Sequence, residues 1–138
     1  MTKRIISTIA LFAMSGSAFA AGHAMAPMVE ATDQDVSNGI VSAAKIVAPE
    51  NGGMVVHRTD AEMTPGPVVG YAPLREGENA DVAAILQEPV ASGEMLMLMV
   101  HSEAGGVATG VFEYTLGAVE DGPIRVEEKL VMQTITAR

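Results

Sequence analysis

The chain has no cysteine and no tryptophan, and its aromatic content is 4%. The first absence excludes disulfides, a thiolate nucleophile, an iron–sulfur cluster and a blue-copper centre, each of which needs Cys sulfur. Any fold must be held by apolar burial and strand pairing alone. The second absence leaves Tyr71, Phe112 and Tyr114 as the aromatics beyond residue 20, too few for a platform that stacks sugars or bases. Basic residues are scarce too: 8 Lys and Arg stand against 17 Asp and Glu, a formal charge of −9. Such a balance favours solubility and attracts cations, but repels phosphate backbones and argues against a nucleic-acid partner. Long apolar runs are also missing. No stretch reaches the roughly 18 residues that a membrane-spanning helix needs.

The start of the chain has a distinct pattern. Lys3 and Arg4 precede a short apolar run, Ile5 to Met14, and Ala18-Phe19-Ala20 closes a stretch of small residues. A basic start, a short apolar stretch and an A-x-A site mark a secretory signal peptide. We expect residues 1–20 to be removed near Ala20. The mature chain is then periplasmic or secreted, has no transmembrane segment, and is two charges more negative. Residues 21–38 are small and polar with no sustained period, and read as a flexible tether.

From residue 39 to 138 the pattern becomes short β-type runs separated by turn residues. The runs are Ile40 to Val47, Met54 to Thr59, Val68 to Ala72, Ala80 to Leu86, Glu94 to Ser102, Val111 to Leu116 and Leu130 to Thr136. Between them lie "PENGG", whose Asn-Gly predicts a hairpin, then "REGEN", "QEPVASG", "EAGGVATG" and "EDGP". The expected fold is all-β: an antiparallel immunoglobulin-like sandwich of about seven strands. Phe112 and Tyr114 are expected on one face of the sixth run. Edge strands of an open sandwich would admit a protein partner, but no residue pattern selects one.

Chemistry-bearing residues are few. In "EMLMLMVHSE", Glu94 to Glu103, residues two apart share a strand face. Met95, Met97, Met99 and His101 therefore line one side, and Leu96, Leu98 and Val100 the other. Thioether with imidazole is a soft ligand set that favours Cu(I). A strand apolar on both faces is also what a central sandwich strand requires, with Met as an adaptable filler. Same-face neighbours are roughly 6.5–7 Å apart, so three in a row cannot bind one ion without an adjacent strand. Core packing accounts for Met95 to Val100. Met99 and His101, with His57 as a partner from another strand, remain as the candidate copper site. The alternative for His57 is a rim histidine bonded to a backbone carbonyl. Met54 and His57 are three apart and face opposite ways.

A separate metal candidate is His23. Cleavage after Ala20 would expose Ala21-Gly22-His23, whose amine, two amides and imidazole supply four in-plane nitrogens for Cu(II) or Ni(II). No enzyme is expected. There is no G-x-S-x-G elbow, "HRTD" and "HSE" lack zinc-site spacing, and the Gly-Gly pairs lie in loops rather than before helices. Two functions stand open: an exported, non-catalytic binding or structural protein, or a periplasmic copper-handling protein. No cofactor other than copper is suggested.

The stretches "VAPENGGMVVHR", "PVVGYAPLREGENADVAAIL", "EMLMLMVHSE", "VFEYT" and "EDGPI" occur in an order that resembles a known family. It is an uncharacterised exported domain of haloarchaeal cell-surface proteins and some bacterial periplasmic proteins, a domain of unknown function. The likeness runs from about Ile40 to the C-terminus. It implies a β-sandwich of the kind carried in modular surface proteins, and no activity. His57 and His101 fall where such domains often carry histidine. Many members have an Asp-rich loop after the second histidine, resembling a calcium loop. Here that loop is "SEAGGVATG", with Glu103 its one carboxylate, short of the six or more oxygens that Ca²⁺ takes.

Overall fold

A computed structural model describes residues 24–138, all of them in strands, turns and loops. Residues 1–20, expected as a signal peptide, and His23 lie outside the described residues. Among the described residues nine strands form: β1 (Met28–Glu30), β2 (Ile40–Ala48), β3 (Gly52–Thr59), β4 (Val68–Leu74), β5 (Gly77–Leu86), β6 (Met95–Ser102), β7 (Arg125–Val126), β8 (Lys129–Leu130) and β9 (Met132–Thr136). Seven make one antiparallel sheet in the order β1-β2-β5-β4-β3-β6-β9, and β7 and β8 form a small hairpin.

The sheet folds over on itself as an all-β sandwich. One half is β1-β2-β5 and the other β4-β3-β6-β9. They are joined by a ladder of only two pairs, Gly70 with Leu86 and Tyr71 with Ile85. At the opposite seam Gln34 nearly closes the structure. Its side chain bonds both the N–H and the C=O of Ser42 on β2, at 2.7 and 2.8 Å. Its backbone carbonyl accepts from Arg138 N–H at 2.9 Å, beyond the end of β9. Between the halves lies the core, which includes Val41, Ile46 and Leu86 from one side and Met54, Val56, Leu96, Leu98, Val100 and Ile135 from the other.

Three expectations change. Residues 28–38 are not tether: β1 pairs with β2, and Val29 and Val36 are buried in the core. Two apolar side chains and one glutamine suffice there, too few to register as a period. The Asn-Gly of "PENGG" makes no hairpin, because β2 and β3 belong to different halves. Asn51 acts as a clasp instead. Its side chain accepts from Glu76 N–H at 2.8 Å and its carbonyl from Glu103 N–H at 3.1 Å. Gly52 is needed for close approach, since a Cβ there would lie 1.9 Å from the His101 carbonyl oxygen. Finally, Val111 to Leu116 forms no strand but belongs to a long loop, residues 103–124.

Most strands alternate between buried and exposed residues. β3 and β6 do not: from Gly52 to His57 and from Leu96 to His101 every residue is buried. These two strands are central and covered on both sides, as the double apolar face of "MLMLMV" requires. Leu98 has no exposed surface and faces the inner core. Leu98→Ala is expected to lower unfolding free energy by about 2–5 kcal/mol, whereas Ile85→Ala, at a side chain 76% exposed, should change it by under about 0.5 kcal/mol. Urea denaturation of the two variants checks the assignment of faces.

Candidate site beneath the loop of residues 103–124

The outer face of β3 and β6 carries Val55, His57, Met97, Met99 and His101, and none of these belongs to the inner core cluster. Loop 103–124 covers it. Phe112 stacks on Tyr71 of β4, with ring centroids 4.4 Å apart. Tyr114 is set edge-on to His101 at 4.5 Å and to His57 at 5.9 Å. Its hydroxyl accepts from Gly117 N–H at 3.2 Å. Gly53 makes room: a Cβ there would fall 2.1 Å from the Tyr71 ring. Phe112 and Tyr114 thus do share a face, as expected, but as the underside of a loop.

The loop is pinned at Asp121, which adopts a left-handed φ of 46°, a conformation aspartate tolerates better than most residues. Its Oδ2 accepts from Glu113 N–H at 2.8 Å and its carbonyl from His101 Nδ1–H at 2.6 Å. Its Oδ1 is buried with no protein partner. Glu103, the carboxylate of the loop that departs from the calcium pattern, accepts from Gly110 N–H at 2.9 Å. It serves as an internal brace of the loop.

His57 and His101 lie under this cover, 0% and 1% exposed. By register His57 is opposite Met97 and His101 opposite Gly53, so the pair between them is Val55 with Met99. Both imidazoles lean over that pair. The ring planes are 27° apart with centroids separated by 5.5 Å, and the rings meet edge to edge, the two Nε2 atoms approaching to 3.4 Å. His57 Nδ1 donates to the Gly66 carbonyl at 2.8 Å, as His101 Nδ1 does to Asp121. A carbonyl can only accept, so each Nδ1 carries hydrogen and each neutral ring presents a bare Nε2 lone pair. The two lone pairs face one another.

The strand-derived candidates therefore converge. His57, His101 and Met99 share one face, and Met54 faces the opposite way into the core. Met97 and Met99 are buried, and Met95 is half-buried at the strand start. Spacing alone did not reveal Asp121 and Tyr114. Asp121 is one residue of a turn signal and Tyr114 looked like part of a strand; only the loop's path brings them to the histidines.

Burial governs the protonation of the pair. Desolvation pushes His101 down to about 4, outweighing the bond to Asp121, and it lowers His57 as well. An unfolded chain takes up these protons near the ordinary value of 6.5, while the folded protein resists until lower pH. Unfolded protein then binds more protons in that window, so stability falls as pH drops from about 6.5 towards 4. The His101 contribution is on the order of 3 kcal/mol. Chemical denaturation at pH 7.5, 6 and 5 is expected to show this decline, and His101→Phe to remove most of it. Gly53→Ala, which forces the Tyr71 ring aside, is expected to cost about 1–3 kcal/mol and to speed amide exchange in residues 111–121.

Among known families, the one described as Domain of unknown function (DUF7282) matches residues 27–138. No curated protein and no solved structure matches the chain. The matched region spans all nine strands, including β1, together with the loop and both buried histidines. The chain belongs to this domain-of-unknown-function family.

Proposed function

We propose that the protein is an exported, non-catalytic β-sandwich protein that acts by binding, and that its binding centre is the His57–His101 pair, which takes a soft transition metal of the copper type. The observation that carries this reading is the 3.4 Å approach of two Nε2 atoms whose Nδ1 atoms are both held by carbonyls. Metal-bound histidines commonly donate their other ring N–H to such an acceptor, which fixes the ring and raises its basicity. The spacing also suits coordination. An ion about 2.0–2.1 Å from each nitrogen would subtend an angle of about 108–116° across 3.4 Å. That range runs from about the tetrahedral angle towards the trigonal one. Both rings are buried beneath the loop, a setting that favours holding or transferring a small ion. Entry requires loop 103–124 to move.

Export of the chain rests on the pattern of residues 1–20. A second reading, a protein-binding role, rests on the loop's outer surface, where Val107, Val111, Leu116 and Val119 are exposed.

Metal titration separates these readings. The full chain is expected to bind one Cu(I) in competition with a coloured chelator, with affinity tighter than about micromolar. His57→Ala and His101→Ala should each weaken it by about 100-fold or more. If wild-type protein takes up neither Cu(I) nor Zn(II), the metal reading is wrong and the protein-binding reading stands. Parallel Cu(II) titration of protein cleaved after Ala20, with and without His23→Ala, isolates any N-terminal site.

A further inference from the structure

Two imidazoles do not complete a metal site, and the structure narrows what else can contribute. Among the described residues no group of three His, Cys, Asp or Glu is placed to hold one ion. A third ligand must therefore be of another type, and water has poor access to a pair 0% and 1% exposed. The Tyr114 hydroxyl is engaged with Gly117. What the sheet places between the histidines is the cross-strand pair Val55 and Met99. Valine has no donor atom. Met99 is 1% exposed, lies outside the inner core cluster and rises on the same face as both rings.

We infer that Met99 is the third ligand and the specificity-determining residue of the site, and that the site therefore selects Cu(I) over Zn(II). This rests on the metal-binding reading of the His57–His101 pair and goes beyond it. Thioether sulfur is a soft donor that Cu(I) accepts readily and Zn(II), with its preference for thiolate, imidazole and carboxylate, does not. A nitrogen–metal–nitrogen angle of about 108–116° leaves one side of the ion open for such a ligand in a three-coordinate arrangement. Met97 is the natural control. It is equally buried on the same strand and face, but lies directly opposite His57 rather than at the register position between the two histidines.

The test compares wild-type protein, Met99→Leu and Met97→Leu, all retaining His23 so that its contribution cancels. Leucine conserves volume, so folding should survive. Met99→Leu is expected to weaken Cu(I) binding by about tenfold or more while changing Zn(II) binding by less than about threefold. Met97→Leu should alter neither. X-ray absorption of Cu(I)-loaded wild-type protein needs no variant, and should show one sulfur scatterer with two imidazoles. Unchanged Cu(I) affinity in Met99→Leu, an equal loss in Met97→Leu, or a spectrum without sulfur each overturns Met99 as the ligand, while leaving the histidine site intact. Absence of any metal uptake by wild-type protein overturns both.

Discussion

β3 and β6 are buried on both faces, and the rest of the molecule is arranged around that constraint. A sandwich covers only the inner face of each half. Leu96, Leu98 and Val100 are covered in this way, but Val55, Met97 and Met99 on the outer face are not. Leaving them bare would expose a contiguous apolar patch. Loop 103–124 provides the cover, using Phe112 and Tyr114 as its contact surface. It is short of apolar side chains on its underside, so polar contacts must hold it. The principal one is His101, whose ring bonds the Asp121 carbonyl while its backbone bridges to Pro123. The loop and the candidate site are thus one construction: the histidine that would bind an ion also holds down its cover.

The legible parts of this architecture were those written in periodicity. The two apolar faces of Met95 to Val100 mark one central strand, β6, and six of the seven runs read as strands are strands of the main sheet. The run that failed, Val111 to Leu116, has β-branched and aromatic residues but no neighbour with a free edge. β6 is already flanked by β3 and β9. Sheet capacity, a property of the whole fold, overrode local propensity. β1 was missed for the opposite reason. Three residues carry no period, and β1 is fixed by an edge of β2 that the sequence does not display. The Asn-Gly at residues 51 and 52 was a true turn signal with the wrong consequence, because turn chemistry does not say which strands pair.

The site was half legible. Same-face placement of Met99 and His101 follows from strand geometry alone, and so does the exclusion of Met54. The meeting of His57 with His101 does not. They are 44 residues apart in sequence and occupy pairs at either end of a short stretch of ladder. They touch because both rings lean towards the Val55–Met99 pair, each drawn by a carbonyl from a different connection, Gly66 before β4 and Asp121 before β7. Those acceptors are backbone atoms, invisible to residue identity.

The same two bonds determine what can lie between the rings. Both Nδ1 donors are satisfied, so the pair has two acceptors and no donor at its centre. Two buried Nε2 atoms 3.4 Å apart, each presenting a lone pair, repel and leave both acceptors poorly satisfied. A proton would relieve one of them, but desolvation already disfavours the charged ring. A metal ion would satisfy both at once. Charge matters as well. Two imidazoles and a thioether supply no negative charge, and the cost of burying an ion rises steeply with its charge. In the proposed site a monovalent soft cation would meet both conditions, since its desolvation cost is lower and its preferred donors are the ones present. The arrangement that leaves both acceptors poorly satisfied is thus the one in which the proposed Cu(I) would gain most.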